Sequence, residues 1–132
     1  MPANVDKAIY DTIITTMKEI VLAGHSEALY LFNKDGLVIA QYDRRQVLAE
    51  LDATELSVLM YKVKPVVKYI GNLGQIKEIT VEDDFGKRLI FRFFFFFGQA
   101  AILLLVVPPR KSYRGVCNDF LHTLEQLETS DD

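Results

Sequence analysis

One cysteine, two histidines and no unbroken run of about twenty apolar residues leave this 132-residue sequence short of what several functional classes require. A lone Cys117 excludes an internal disulfide and any zinc cluster built on several thiolates. It suits a reducing compartment, so the chain is expected in the cytoplasm with Cys117 as a small core residue. His25 and His122 are far apart and are not expected to act as a pair. Cys117 and His122, five apart on a predicted helix, diverge where residues three or four apart would meet. No Gly-Lys-Ser/Thr is present, and Gly71 and Gly74 follow a helix instead of opening one, so no phosphate-binding loop is expected. The 15 Lys and Arg residues against 18 Asp and Glu give a net charge of −3 and no basic field to draw nucleic acid. Asp6 and Lys7 interrupt the stretch where a secretion signal would need continuous apolar residues. With these absences, no catalytic residue, cofactor or resident metal is expected.

What is present is apolar and periodic. Half of the residues are hydrophobic and a quarter charged, the balance of a globular chain, and residues 1–132 are expected to form a single domain with a short frayed acidic tail at about 128–132. Residues 93–107 are almost wholly apolar and flanked by Arg88, Arg92, Arg110 and Lys111. The run is too short to span a bilayer and has Gly98 and Gln99 in its middle, so it reads as two buried strands joined by a tight turn, with no membrane insertion.

A first amphipathic helix is predicted over residues 4–23 from Val5, Ile9, Ile13, Met17, Ile20 and Val21, with Asn4 as its cap and Gly24 as its stop. Two short strands follow at 28–32 and 37–42, joined through Asn33-Lys34-Asp35-Gly36, whose Asp-Gly favours a hairpin. Residues 43–52 have no readable period. A second helix is predicted over 53–73, marked by Leu56, Leu59, Met60, Val63, Val66, Val67 and Ile70, with Asp52 and Glu55 at capping-box spacing and Asn72 and Gly74 ending it. Pro65 is expected to kink or break that helix, because it removes one hydrogen bond and crowds the carbonyl of Tyr61.

Residues 75–82 alternate as an edge strand does. The turn Asp83-Asp84-Phe85-Gly86 leads into 87–97, where Leu89, Phe91, Phe93, Phe95 and Phe97 face one way and Ile90, Phe94 and Phe96 the other, with only Arg92 between them. A turn at Gly98-Gln99 leads into the apolar strand 100–107. After Pro108-Pro109, a third helix carries Tyr113, Val116, Cys117, Phe120, Leu124 and Leu127. Strands apolar on both faces need cover on both. The predicted architecture is a three-layer α/β/α sandwich around a five-stranded, mainly antiparallel sheet, in the order α-β-β-α-β-β-β-α.

Three polar features have simple readings. The acids Glu82, Asp83 and Asp84 lack calcium-loop spacing and read as solvated turn formers. Arg44-Arg45 and Arg110-Lys111-Arg114 are small basic groups of the kind that is solvated in most proteins and meets acidic partners or phosphate in a few. Core packing accounts for most of the second-helix stripe, Leu56, Val63 and Ile70 included, whereas Val58, Met60 and Val67 widen it beyond what one sheet face needs.

The element order, the hairpin Ala28-Leu29-Tyr30-Leu31-Phe32-Asn33-Lys34-Asp35-Gly36-Leu37-Val38-Ile39-Ala40, and the closing strand 101–107 followed by a loop and the Gly115 helix together resemble the roadblock/dynein light chain family, which includes bacterial polarity regulators and subunits of the Ragulator scaffold. The resemblance covers nearly the whole chain. It implies a non-enzymatic homodimer that binds or regulates a small Ras-like GTPase, pairs with other roadblock or longin-type proteins, or scaffolds a complex. It also implies a dimer made by Leu56, Leu59, Met60, Val63, Val67 and Ile70 of the second helix with Lys77, Glu78, Ile79, Thr80 and Val81 of the edge strand. Longin-like and profilin-like adaptors that bind peptide or trafficking partners share parts of the architecture. A small-molecule sensor domain is a further alternative.

Overall fold

The computed structural model describes residues 6–130 of the chain. Three helices, α1 (Lys7–Leu22), α2 (Glu50–Ile70) and α3 (Arg114–Ser130), and five strands, β1 (Ala28–Phe32), β2 (Val38–Tyr42), β3 (Glu78–Glu82), β4 (Arg88–Phe96) and β5 (Gln99–Val107), follow one another in the predicted order. The strands form one sheet in the order β2-β1-β5-β4-β3, and every neighbouring pair is antiparallel. β3 is an edge, as its alternation predicts, and β2 is the other edge.

The sheet separates two cores. On one face α1 and α3 bury Ile9, Ile13, Met17, Ile20, Cys117, Phe120 and Leu124 against Leu29, Leu31, Ile90, Leu103, Leu105 and Val107. On the other α2 sets Ala53 and Met60 against Tyr30, Phe32, Phe91, Phe93, Ile102, Leu104 and Val106. A residue and its neighbour along β5 therefore serve opposite layers, which is why that strand reads as a continuous apolar run.

Local chemistry repeats itself. Both β1–β2 and β3–β4 are joined by an Asx turn. In the first, the Asn33 side-chain oxygen accepts from the N–H groups of Asp35 and Leu37 before Gly36 at φ +82°. In the second, the Asp83 carboxylate accepts from Phe85 and Lys87 before Gly86 at φ +90°. α1 and α2 end in the same way too. His25 N–H bonds back to the Ile20 carbonyl around Gly24, and Leu73 N–H to the Lys68 carbonyl around Asn72, which takes the left-handed conformation at φ +51°.

Several boundaries differ from the sequence reading. α1 is capped by Asp6, whose carboxylate accepts from the Ile9 N–H at 2.9 Å, not by Asn4; Asn4 and Val5 lie outside the described residues. α2 starts three residues earlier than predicted, with Ala49 in the cap position and no side-chain cap, so Asp52 and Glu55 form no capping box; they lie inside the helix. It runs unbroken through Pro65, because a helix of 21 residues sheds one bond at an exposed position without ending. The β4–β5 turn lies one residue earlier than predicted, at Phe97 (φ +51°) and Gly98 (φ +74°), a two-residue turn of the kind that matches strand twist. That shift reverses the expected split of the phenylalanine run. Phe97 turns to the α1/α3 core with Phe94 and Phe96, Phe93 alone is buried under α2, and Phe95 stays 74% exposed. The expected frayed tail is helical as far as Ser130, and the Phe97 N–H donates to the Glu128 carboxylate; residues 131–132 lie outside the described set.

Candidate functional site

α2 has more apolar surface than its layer uses. Its core-facing row is Ala53, Ser57 and Met60. Roughly 100° round the helix, at 3.6 residues per turn, lies a second row, Leu56, Leu59, Val63, Val66 and Ile70, at alternating spacings of three and four. Leu56 and Val63 are half-buried on its inner flank, and Leu59, Val66 and Ile70 are 48%, 54% and 77% exposed. Leu73, folded back by the helix-ending motif, extends the row and is also exposed.

This arrangement sorts the predicted interface residues. Met60 is buried at 8% exposure and belongs to the core, so it is not available to a partner. Ile70, read both as plain core and as a dimer-helix candidate, is open to solvent. Val67 is exposed, as an interface residue would be. Val66 and Leu73, outside the residues expected at the interface, are exposed in the same row, which the alternating three-and-four spacing from Leu56 to Leu73 marks in the sequence.

β3 ends the sheet and is open on its outer side. Its inner side pairs with β4 from Glu78↔Arg92 to Glu82↔Arg88, and the Phe93 N–H reaches the Lys77 carbonyl at 2.8 Å. Ile79 is half-buried in the α2 layer, whereas Lys77, Thr80 and Val81 are exposed. Glu78 has a separate role. Its carboxylate lies 3.7 Å from the Arg92 guanidinium and accepts from the Tyr113 hydroxyl at 2.6 Å and the Thr80 hydroxyl at 3.2 Å. This cluster ties the edge strand to the start of α3 and gives Arg92, the charge in the middle of an apolar strand, its partner. Burial and then the bond to Glu78 hold the Tyr113 hydroxyl above its ordinary pKa.

Two polar atoms on the inner side of α2 are unusual. The Ser57 Oγ and the Tyr61 hydroxyl are buried and have no hydrogen-bond partner among the described residues. Burial pushes the Tyr61 hydroxyl up to about 12. Tyr61 packs at a tilt against Phe93, with ring centroids 5.9 Å apart, and Lys64 Nζ lies 4.6 Å from the same Phe93 ring.

The remaining chemistry-bearing residues are dispersed. Burial raises the Cys117 thiol to about 11, while His122 is exposed and faces Gln126. Among the described residues no group of three or more His, Cys, Asp or Glu side chains is placed to hold a metal ion. Asp83 spends its carboxylate on its own turn, and Glu82 lies 4.0 Å from Arg88. No helix among the described residues is long and apolar enough to cross a membrane.

No family model matches the chain, and neither does any curated protein. Its likeness to solved structures is extensive. A gliding protein, MglB, from Thermus thermophilus superposes with a TM-score of 0.68 at 17% identity, over 98% of this chain and 96% of that one. MglB from Myxococcus xanthus gives 0.67 at 14% identity, over 91% and 94%. A Roadblock/LC7 domain from Streptomyces avermitilis gives 0.64 at 16% identity, over 88% and 94%. The chain has the roadblock-like α/β fold.

Proposed function

We propose that this chain is a non-enzymatic, homodimeric roadblock-type protein that binds a small Ras-like GTPase or scaffolds a complex containing one. The observation that carries the dimer is the exposed apolar row on α2 together with the open edge of β3, whose Ile79 packs in the α2 layer. Residues spaced alternately three and four apart form the seam by which one helix packs on another at a shallow angle. A two-fold axis beside β3 sets that strand antiparallel to its copy, which is the pairing the rest of the sheet uses. One operation then covers both liabilities, the apolar helix face and the row of unpaired backbone groups. Leu56, Leu59, Val63, Val66, Val67 and Ile70 supply the helix contact, and Lys77, Ile79, Thr80 and Val81 the strand contact. Glu78 holds the strand from within.

The GTPase partner rests on the family resemblance together with the fold. A protein of this kind acts by positioning the GTPase's own groups or by tethering it. Sedimentation at micromolar concentration tests the dimer: a two-chain species is expected, and Leu59→Glu with Ile70→Glu should yield folded monomer. A pull-down against the host's small GTPases in GDP and GTP-analogue states tests the partner. Retention of at least one GTPase is expected, and retention of none in either state removes the regulatory half of the reading.

A further inference from the structure

A second surface lies at the rim of the sheet where β1, β2 and β5 end. The last turn of α1, the lead into β1, the end of β2 and the end of β5 meet around a cleft of about 380 Å³ lined by Val21, Leu22, Gly24, Ser26, Glu27, Arg44, Arg45 and Pro108. Ser26 is committed to the scaffold, its hydroxyl lying against the Ala28 and Val106 carbonyls. Glu27 is engaged by Lys87 at 3.7 Å. Arg44 and Arg45 are exposed, and neither guanidinium has an ion pair, hydrogen bond or ring contact among the described residues. Leu22 is 56% exposed beside them.

The chain's other basic group makes the contrast. Arg110 and Lys111 line a cleft of about 620 Å³ together with Arg88, and the same cleft contains Glu82, Asp83 and Asp84. Arg88 there donates to the Lys111 carbonyl, and Arg114 lies over the Tyr113 ring. That surface carries three carboxylates among its basic groups, with Asp84 in no ion pair among the described residues. The cleft at Arg44 and Arg45 supplies none that is free, in a protein of net charge −3.

We infer that this cleft is a docking site for an acidic segment of a partner protein, one that places a carboxylate between Arg44 and Arg45 and an apolar side chain against Val21, Leu22 and Pro108. Two guanidinium forks suit carboxylate oxygens in bidentate fashion. The exposed Leu22 adds an apolar contact at the rim, where a chain continuing out of the cleft would pass. A membrane surface fits less well, because the positive charge is confined to two side chains at a concavity on an acidic protein. The site does not depend on self-association. If the chain pairs through β3 and α2, three strands separate that edge from β2, so a dimer would present two such clefts facing outward and bind a two-site partner with avidity.

The test is fluorescence anisotropy with a labelled, end-blocked peptide Glu-Glu-Phe-Glu-Glu and its Gln-Gln-Phe-Gln-Gln counterpart, at low ionic strength. The acidic peptide is expected to bind and the neutral one to fail. Arg44→Ala and Arg45→Ala are each expected to weaken binding about tenfold. Leu22→Ser should weaken it less, and Arg110→Ala should leave it unchanged. Circular dichroism checks that the variants fold, which the exposure of both arginines favours. The inference is overturned by any of four results: no binding of the acidic peptide, binding unaffected in the Arg44→Ala/Arg45→Ala double variant, competition by inorganic phosphate at concentrations equal to the peptide, or tighter binding to phosphatidylserine vesicles than to the peptide.

Discussion

The two faces of the sheet are covered in different ways. On one face α1 and α3 lie side by side and bury their apolar rows, leaving little of either row open. On the other, α2 works alone. It covers Phe91, Phe93 and their neighbours with three buried residues, leaves Phe95 bare, and shows a second apolar row to solvent. The first face is covered within one chain, and the second leaves apolar residues open to solvent. Apolar content alone does not make this distinction, since both faces are lined by Phe, Leu, Ile and Val.

The largest test of that contrast uses Phe120 of α3, which is 1% exposed. Phe120→Ala should cost about 3–5 kcal/mol by urea unfolding, the usual loss for a buried aromatic. Next in size is Pro65→Ala. It restores one helical bond and relieves the crowding at the Tyr61 carbonyl, and it should stabilise the chain by up to about 3 kcal/mol, with slower amide exchange from Tyr61 to Ile70. No gain in Tm would mean that the proline is already accommodated.

Gly36→Ala reports on where α2 meets the first hairpin. An added Cβ would lie 2.7 Å from the Val58 Cγ2, in a backbone at φ +82°, so a loss of more than about 1 kcal/mol is expected. Tyr61→Phe goes the other way. Removing a buried hydroxyl without a partner should stabilise by about 1 kcal/mol. Its pH dependence carries a sign as well: the folded-state pKa of Tyr61 is raised from 10.0 to about 12, so the neutral ring stabilises the fold below pH 10, and that contribution is lost as pH rises to 12. Tyr61→Phe should flatten the stability profile in that window.

The smallest effect belongs to the outer row of α2. Leu59→Ser or Ile70→Ser should change the stability of dilute, unassociated chain by less than about 0.5 kcal/mol, because neither side chain is buried in the monomer. A loss comparable to that of Phe120→Ala under those conditions would erase the distinction between the two faces.

Much of this was legible in the residues. The helices followed from apolar spacing, the hairpins from Asn33 to Gly36 and from Asp83 to Gly86, and the edge position of β3 from its alternation. What could not be read was held by distant partners. Residues 43–49 had no period because their order comes from the Asp43 carboxylate, which accepts from the Val47 and Leu48 N–H groups and from the Tyr30 hydroxyl of β1. The phenylalanine run was assigned to faces by extending the alternation through Phe97, and the turn stopped it one residue short. By spacing, Ile70 read as core and Met60 as an addition that widened the stripe, and the structure has them the other way round. Only the sheet beneath α2 makes one core and leaves the other exposed.

By itself, the sequence determined the elements, their order and the need for two covering layers, because local spacing sets secondary structure and a strand apolar on both faces cannot be left bare. Tertiary structure decided which apolar residues remain unused, since burial depends on how far one helix reaches across a sheet. It also decided that Arg44 and Arg45 share a cleft with one carboxylate, already engaged by Lys87, while Arg110 and Lys111 share theirs with three, because that follows from which loops fold together at the rim of the sheet.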